Sequence, residues 1–377
     1  MTLGTPQTTD RARGGYRTLR PRDGRRSNLS LVLQTLYHDP QLTRADLARR
    51  TGLTKVTISD LVADLIEQDL VGETGLTAGV RPGKPAATLA VREDAWDVIA
   101  LDLSGSGALR GATYSLTGTR RAEASVDLAG RQGEAASTAV VDLARQCVGL
   151  ATRRVLGIGV GTPGAVDARG TVVAAPNLGW RNWPLQDILG REFALPVAVQ
   201  NDANAAVVAE HAFGAAGDNV VRVQISGGVG AGVLVSGALH LGDAGAAGEI
   251  GHLVIEFGGA TCSCGKRGCL ETWISVPALT QRLAHGGDRD ATLAEAGRRL
   301  GMALAPLVAG LDLTHVVLGG PPDLIAGPFR TACEDLIAER THSEFRGEAA
   351  VTQSDLGDEA VLLGAVALVL RTTLGVS

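Results

Sequence analysis

Residues 248–271 read GEIGHLVIEFGGATCSCGKRGCLE. His252, Cys262, Cys264 and Cys269 each offer one soft or borderline donor, and three of the chain's five cysteines fall within eight residues. The glycines among them let the backbone fold closely around an ion. One imidazole and three thiolates suit tetrahedral Zn2+, and four protein ligands leave no open position, so the expected metal is structural. The alternative is three buried free cysteines that lie close together by coincidence.

At 377 residues, 45% apolar and 20% charged, the chain is long enough for two or three domains with sizeable cores. The longest clean apolar run, 360–370, falls well short of the roughly 20 residues that a membrane span needs. The first thirty residues are polar and Arg-rich, unlike a secretory signal, and thiolate ligands suit a reducing compartment. The expected location is the cytoplasm, with no membrane partner. The net charge of −5 conceals an asymmetry: residues 1–85 carry 13 Lys+Arg against 9 Asp+Glu, and the remainder carries 22 against 31. A basic head on an acidic body points to a nucleic-acid partner for the head alone.

Residues 28–70 read as three helices. Leu29, Val32, Leu33 and Leu36 form the apolar stripe of the first. Thr43, with Asp46 three residues on, is placed to cap a second helix that runs through Arg50 and stops at Gly52. Thr54 caps a third, whose buried stripe is Ile58, Leu61, Val62, Leu65 and Ile66. Two helices joined by 51–53 make a helix-turn-helix, with Thr54, Lys55, Thr57 and Ser59 at the base edges of a major groove. Asp60 and Asp64 then have to point away from phosphates. An ordinary three-helix bundle is the alternative. The Gly/Pro-rich segment 75–91, GLTAGVRPGKPAATLAV, suits a β-wing and linker. Its Arg81 and Lys84 either enter a minor groove or sit as solvated charges on a stiff connector. The arginines at 11, 13, 17, 20, 22, 25 and 26 read as a disordered arm over 1–26 that adds phosphate contacts.

From Trp96 onward, apolar strand-like runs alternate with Gly turns and Ala-rich helices, an α/β arrangement. Two Gly-rich turns follow strands: LDLSGSGAL at 101–109 and QISGGVGAGVL at 224–234. Either alone says little in a chain with 50 glycines. Cys147 and Cys333 are expected to be buried apolar residues.

The GEIGH segment followed by a CxCGxxGCLE loop resembles the ROK family of repressors, open reading frames and sugar kinases, and the likeness extends along most of the chain. The string LTRADLARRTGLTKVTISDLVADLIEQDLV resembles the winged-helix head of ROK repressors. The resemblance implies a winged helix-turn-helix over 27–90, followed by a two-lobed actin-like ATPase domain of duplicated ribonuclease H-like type. Lobe 1 would span 91–200. Lobe 2 would span 201–377, with the zinc loop inside it and the last helix returning to lobe 1. The two Gly-rich turns would be the phosphate loops of that fold. VQNDANAAVVAE at 199–210 resembles the family's catalytic motif, which puts Asp202 at the base position and Asn201 on sugar hydroxyls. Glu249 and Glu271 follow by the same likeness as hydroxyl acceptors, and His252 would bind zinc through one ring nitrogen and a hydroxyl through the other. GVGTPGAVD at 159–167 and NLGWRNWPL at 177–185 would flank the pocket. Helix capping is the alternative role for Asn201 and Asp202.

The phosphate side departs from the kinase pattern. Where ROK kinases show Asp-x-Gly-Gly-Thr-Lys, this chain has Asp102-Leu103-Ser104-Gly105-Ser106-Gly107, so a glycine gains a Cβ and the cationic side chain is gone. Ser226-Gly227-Gly228 stands for Gly-Thr-Gly, and Pro321 stands for a third glycine in VVLGGPPDL. Phosphoryl transfer depends on positioning and charge stabilisation, so these changes argue against catalysis. The expected function is a sugar-responsive DNA-binding regulator, a repressor of carbohydrate-metabolism genes. Its expected partners are a palindromic duplex operator, a monosaccharide or sugar phosphate, and a second or further copies in a homodimer or homotetramer. The rival reading is a ROK sugar kinase with an appended DNA-binding head, and a third is an adaptor whose head binds protein.

Overall fold

The computed structural model of the chain describes residues 21–76, 86–105, 107–344 and 347–376. Helix α1 (Pro21–His38) begins earlier than the sequence pattern suggests, because Pro21 has the fixed φ that suits a first helical residue. Arg22, Arg25 and Arg26 therefore lie on a helix and not in a free arm; residues 1–20 lie outside the described residues. Arg25 pairs with Asp64, and Arg26 donates to the Thr372 carbonyl at 3.4 Å.

The head continues with β1 (Leu42–Thr43), α2 (Arg44–Thr51), α3 (Lys55–Glu67), β2 (Val71–Leu76) and β3 (Ala87–Val91). Thr43 Oγ1 accepts the Asp46 N–H at 3.2 Å, and the Asp46 carboxylate accepts the Thr43 N–H at 3.0 Å. This reciprocal capping box starts α2 as the sequence predicts. Gly52 ends it in the left-handed region (φ 71°), where a glycine carries no Cβ penalty. Thr54 caps α3 by accepting the Thr57 N–H at 3.2 Å. The strands form an antiparallel sheet in the order β1-β3-β2, and β2 with β3 is the wing. Residues 77–85 of the wing, with Arg81 and Lys84, lie outside the described residues.

The body is two lobes with one connectivity used twice. Lobe 1 contains β4 (Trp96–Asp102), β5 (Ala108–Tyr114), β6 (Arg120–Asp127), α4 (Glu134–Leu150) and β7 (Arg154–Thr162). A small sheet of β8 (Ala165–Val166), β9 (Val172–Ala175) and β10 (Trp180–Trp183) follows, then α5 (Leu185–Phe193) and β11 (Val197–Asn201). Its main sheet runs β11-β7-β4-β5-β6. Lobe 2 follows with α6 (Asp202–Ala212), β12 (Val220–Ile225), β13 (Val229–Val235), β14 (Ala238–Leu239), α7 (Glu271–Ile274), α8 (Val276–Ala284) and α9 (Arg289–Leu311). It closes with β15 (His315–Gly319), α10 (Pro322–Ile325), α11 (Pro328–Thr341), β16 (Ala350–Gln353) and α12 (Ala360–Leu374), and its sheet runs β14-β13-β12-β15-β16. In each lobe an antiparallel meander (β4-β5-β6, β12-β13-β14) is extended by two parallel strands (β7 and β11, β15 and β16). The duplication that the Gly-rich turns suggested is therefore visible as topology.

The apolar run 360–370 is α12, and it crosses back to lobe 1. Leu362, Ala365, Val366, Val369 and Leu370 join a buried cluster with Val98, Ala100 and Tyr114 of lobe 1 and Val32, Leu33 and Leu36 of α1. Head and lobe 1 thus share one core. Ser30 Oγ donates to the Leu374 carbonyl at 2.8 Å, Tyr37 Oη to the Leu116 carbonyl at 3.1 Å, and Trp96 Nε1 to the Gln68 carbonyl at 3.1 Å. On another side α12 lies directly on α6: a Cβ on Gly364 would overlap the Ala205 carbonyl. Gly364→Ala should therefore lower the free energy of unfolding by about 1–3 kcal/mol, the usual cost of overpacking. Gly149→Ala, exposed on α4 with open space around it, should leave stability unchanged or raise it by up to about 1 kcal/mol. Urea unfolding of the two variants beside the parent checks both.

Candidate sugar, metal and DNA sites

The four donors in the 248–271 stretch meet in space. Their ligand atoms all lie within 4.8 Å of one another, and the cluster is able to hold a metal ion. His252 Nδ1 is 3.5 Å from Cys262 Sγ, and Cys264 Sγ is 3.7 Å from Cys269 Sγ. Donors around a tetrahedral ion with metal–sulfur distances of about 2.3 Å stand roughly 3.5–3.8 Å apart, so the spacing fits. Cys262 and Cys269 are buried and Cys264 is exposed. Burial, together with the neighbouring thiols, pushes the Cys269 thiol up to about 12, while the Lys266 N–H beside Cys264 holds that thiol below its ordinary value. The loop is folded tightly by local means. Thr261 bridges to Arg267 and Val254 to Cys269, and Gly268 (φ 78°) packs where any Cβ would strike the Glu256 carbonyl.

A brace that the sequence reading missed holds this loop to lobe 2. Trp273 Nε1 donates to Glu256 at 2.7 Å, and the indole lies between the guanidinium groups of Arg282 and Arg299, 3.6 and 3.4 Å from its centroid. Arg299 also faces Glu256 at 3.6 Å. The four residues are spread over 44 positions, and no local spacing marks them as one unit.

With Nδ1 turned toward the cysteines, His252 presents Nε2 to Glu249 at 3.8 Å. Glu271 accepts the Val229 N–H at 3.2 Å beside the second Gly-rich turn, and its other oxygen lies 3.7 Å from Cys262 Sγ. Across the cleft, Asn201 performs the capping role that was the alternative for it: its Oδ1 accepts the Asn204 N–H at 3.1 Å. Its amide also donates to the Gly164 carbonyl at 3.0 Å and to Asp202 Oδ1 at 2.9 Å. Asp202 therefore starts α6 with one oxygen committed, held against the 159–167 turn. Burial, with the charges of Asp102 and Glu249 nearby, pushes the Asp202 carboxyl up to about 6. Glu249 thus stands between the two groups, 3.8 Å from His252 Nε2 and close enough for its charge to act on Asp202.

The start of the first Gly-rich turn is tied to strand β5 by hydrogen bonds of Asp102. Asp102 is buried, and its Oδ1 accepts the Ser104 N–H at 2.9 Å and the Ser104 hydroxyl at 2.6 Å. Its other oxygen is paired with Arg110 at 2.7 Å, and Arg110 also donates to the Asp358 carbonyl. Ser104 thus does more than add bulk, and Arg110, which the sequence reading did not single out, supplies the tie to β5. Pro321 offers no N–H and instead opens α10, where its carbonyl accepts from Leu324 and Ile325. Cys147 and Cys333 are fully buried among apolar residues, as expected.

In the head, Lys55 is exposed at the start of α3. The hydroxyls of Thr54 and Thr57 bond to each other at 2.9 Å, and Ser59 Oγ donates to the Lys55 carbonyl at 2.9 Å. Asp64, one of the three carboxylates of α3 with Asp60 and Glu67, is paired with Arg25.

Residues 132–372 match the ROK family profile. The chain belongs to the ROK family. Residues 30–75 match the MarR family, in agreement with the winged head. The chain is 29% identical over 385 residues to the xylose repressor of Caldicellulosiruptor bescii, covering 92% of this chain and 96% of that one. A crystal structure of a ROK-family transcriptional regulator, a homologue of the E. coli MLC protein, superposes with a TM-score of 0.81 at 24% identity, over 93% of this chain and 97% of that chain. A ROK glucokinase from Streptomyces griseus, solved with glucose and AMPPNP, superposes with a TM-score of 0.63 at 27% identity, over 72% of this chain and 98% of that chain. The regulators span head and body, whereas the kinase is matched by nearly its whole length to only part of this ROK chain.

The raised Asp202 pKa has a consequence for stability. A carboxyl that titrates higher in the fold than in the unfolded chain favours the fold while protonated, and that advantage is lost as pH rises from about 4 through 6. Asp202→Asn, which keeps the accepting oxygen, should resist urea better than the parent at pH 7.5, by up to about 3 kcal/mol. The difference should vanish near pH 4.

Proposed function

We infer that this chain is a sugar-responsive, DNA-binding transcriptional regulator, a repressor of carbohydrate-metabolism genes, and not a kinase. The observation that carries this reading is the shared core: α12 packs against α6, which begins at Asp202, and against α1 of the head. A body built only for catalysis has no need to merge its core with a helix-turn-helix.

A sugar in the cleft engages Asn201, Asp202, Glu249, His252 and Glu271 as hydrogen-bond partners. The metal is zinc, held by His252, Cys262, Cys264 and Cys269; bound there, it cross-links the loop and fixes the His252 tautomer. The residues of the chain do the rest. Glu249 and Glu271 hold hydroxyls beside the metal loop, and Asp202, tied through the Asn201 amide to the Gly164 carbonyl of lobe 1, holds another, so ligand binding draws the lobes together. Movement of α6 is passed to α12, and through α12 to α1. Two such heads in a homodimer or homotetramer dock at half-sites about one helical turn apart, so a small change in their angle prevents simultaneous docking. Lys55, Thr54, Thr57 and Ser59 face the groove; Arg81 and Lys84, outside the described residues, complete the DNA-contacting set of this reading. A cytoplasmic location suits the thiolate site, and no helix among the described residues is long and apolar enough to cross a membrane.

Gel shifts with the DNA upstream of the chain's own gene, titrated with xylose, glucose and other monosaccharides and their phosphates, test this reading. One ligand should weaken operator binding by roughly 5- to 150-fold. No duplex binding, or binding that no saccharide or phosphate ester alters, contradicts it. An ATP-coupled assay with the same sugars should give no turnover above that of Asp202→Asn; rates typical of sugar kinases would restore the kinase reading.

The metal has its own test. The purified protein should carry one zinc per chain, and Cys264→Ser or chelation should remove the metal and sugar binding together. Unchanged sugar affinity in verified metal-free protein breaks the link between them.

A further inference from the structure

Helix α3 turns Lys55, Val56, Ser59, Asp60, Ala63 and Glu67 outward, while Ile58, Leu61, Val62 and Leu65 form its buried face. Val56 stands out on that outer face. It is 72% exposed, the most open of the large apolar residues among the described residues of the head. A β-branched residue in the first turn of a helix gains nothing from helix propensity, and here it covers no core. Around it the polar groups are already engaged. The Thr54 and Thr57 hydroxyls bond to each other, and the Ser59 hydroxyl is bonded to the Lys55 carbonyl. Ala63, two turns further along the same stripe, adds another exposed methyl. The face that enters a major groove is thus led by a bare isopropyl group, with the hydroxyls around it bonded within the helix start.

We propose that Val56 is a specificity-determining residue for operator recognition, packing its methyls against the 5-methyl group of a thymine at one position of each half-site. The major groove offers one apolar group, the thymine methyl, and an aliphatic side chain has no other base-edge partner there. Lys55, beside it, has the opposite character: its ammonium serves phosphates or guanine acceptors, and its contribution is salt-dependent. The proposal rests on the DNA-binding reading above and adds the base that α3 selects.

The experiment uses the full-length, metal-loaded protein. Binding sites are selected from random duplexes, and each thymine of the selected site is then replaced by deoxyuridine, which removes the methyl and leaves the base pair intact. At one thymine per half-site the replacement should weaken binding about fourfold, the value of one buried methyl group. Val56→Ala should bind the thymine and deoxyuridine duplexes alike, with its salt slope unchanged, whereas Lys55→Ala should reduce that slope by about one. Val56→Ala is a surface change, and its thermal unfolding beside the parent confirms that it folds. Insensitivity of the parent to every deoxyuridine, or the same sensitivity persisting in Val56→Ala, overturns the assignment of Val56 while leaving DNA binding intact. Failure to select any duplex overturns the DNA-binding reading and this assignment with it.

Discussion

Helix α12 leaves lobe 2, packs on lobe 1 and meets the head there. This one helix is buried on three sides: against the lobe 1 sheet, against α6, and against α1 of the head. Small residues make the contact with α6 close enough that one added methyl has nowhere to go. A close-packed interior transmits displacement and does not absorb it. The head consequently lacks a soft linker to the body. What α6 does at the cleft, α12 feels, and α1 is fastened to α12 by apolar contact and by hydrogen bonds to the 372–374 carbonyls.

The body shares its fold with a ROK glucokinase, but its first Gly-rich turn begins with a carboxylate already engaged on both oxygens. A phosphate loop works by leaving backbone N–H groups and charge free for the nucleotide. Here Asp102 spends both oxygens on Ser104 and Arg110, and Arg110 ties strand β5 to the 357–359 turn just ahead of α12. These bonds brace the lobe 1 sheet against which α12 packs. Asp202 is held at a raised pKa by burial, with the charges of Asp102 and Glu249 nearby.

How much of this could be read in the sequence depended on the range of the interaction. The head was legible because its signals are local: a capping box at 43–46, a left-handed glycine at 52, and a cap at 54 lie within a turn of the structure that they set. The metal cluster was legible because three of its ligands sit within eight residues and the fourth ten residues upstream. The start of α1 was missed, because Pro21 within an Arg-rich stretch gives a weaker signal than a run of arginines gives for an arm. Arg110 was missed because its partnership with Asp102 depends on the register of two antiparallel strands. The Trp273 brace was missed for a similar reason, since Glu256, Arg282 and Arg299 converge only once α8 and α9 are packed. Asn201 shows a different lesson: the capping role and the ligand-facing position were posed as alternatives, and the side chain that caps α6 also ties Asp202 to the Gly164 turn.

The central claim is that cleft occupancy reaches the head through α6 and α12. Amide hydrogen exchange on the full-length protein, with and without the saccharide that shifts its operator binding, tests this most directly. The account predicts that protection changes in 202–212 are accompanied by changes in 360–374 and in 21–38, with α4 as an unaffected internal reference. Changes confined to the cleft and the metal loop, with α12 and α1 exchanging as before, would contradict it.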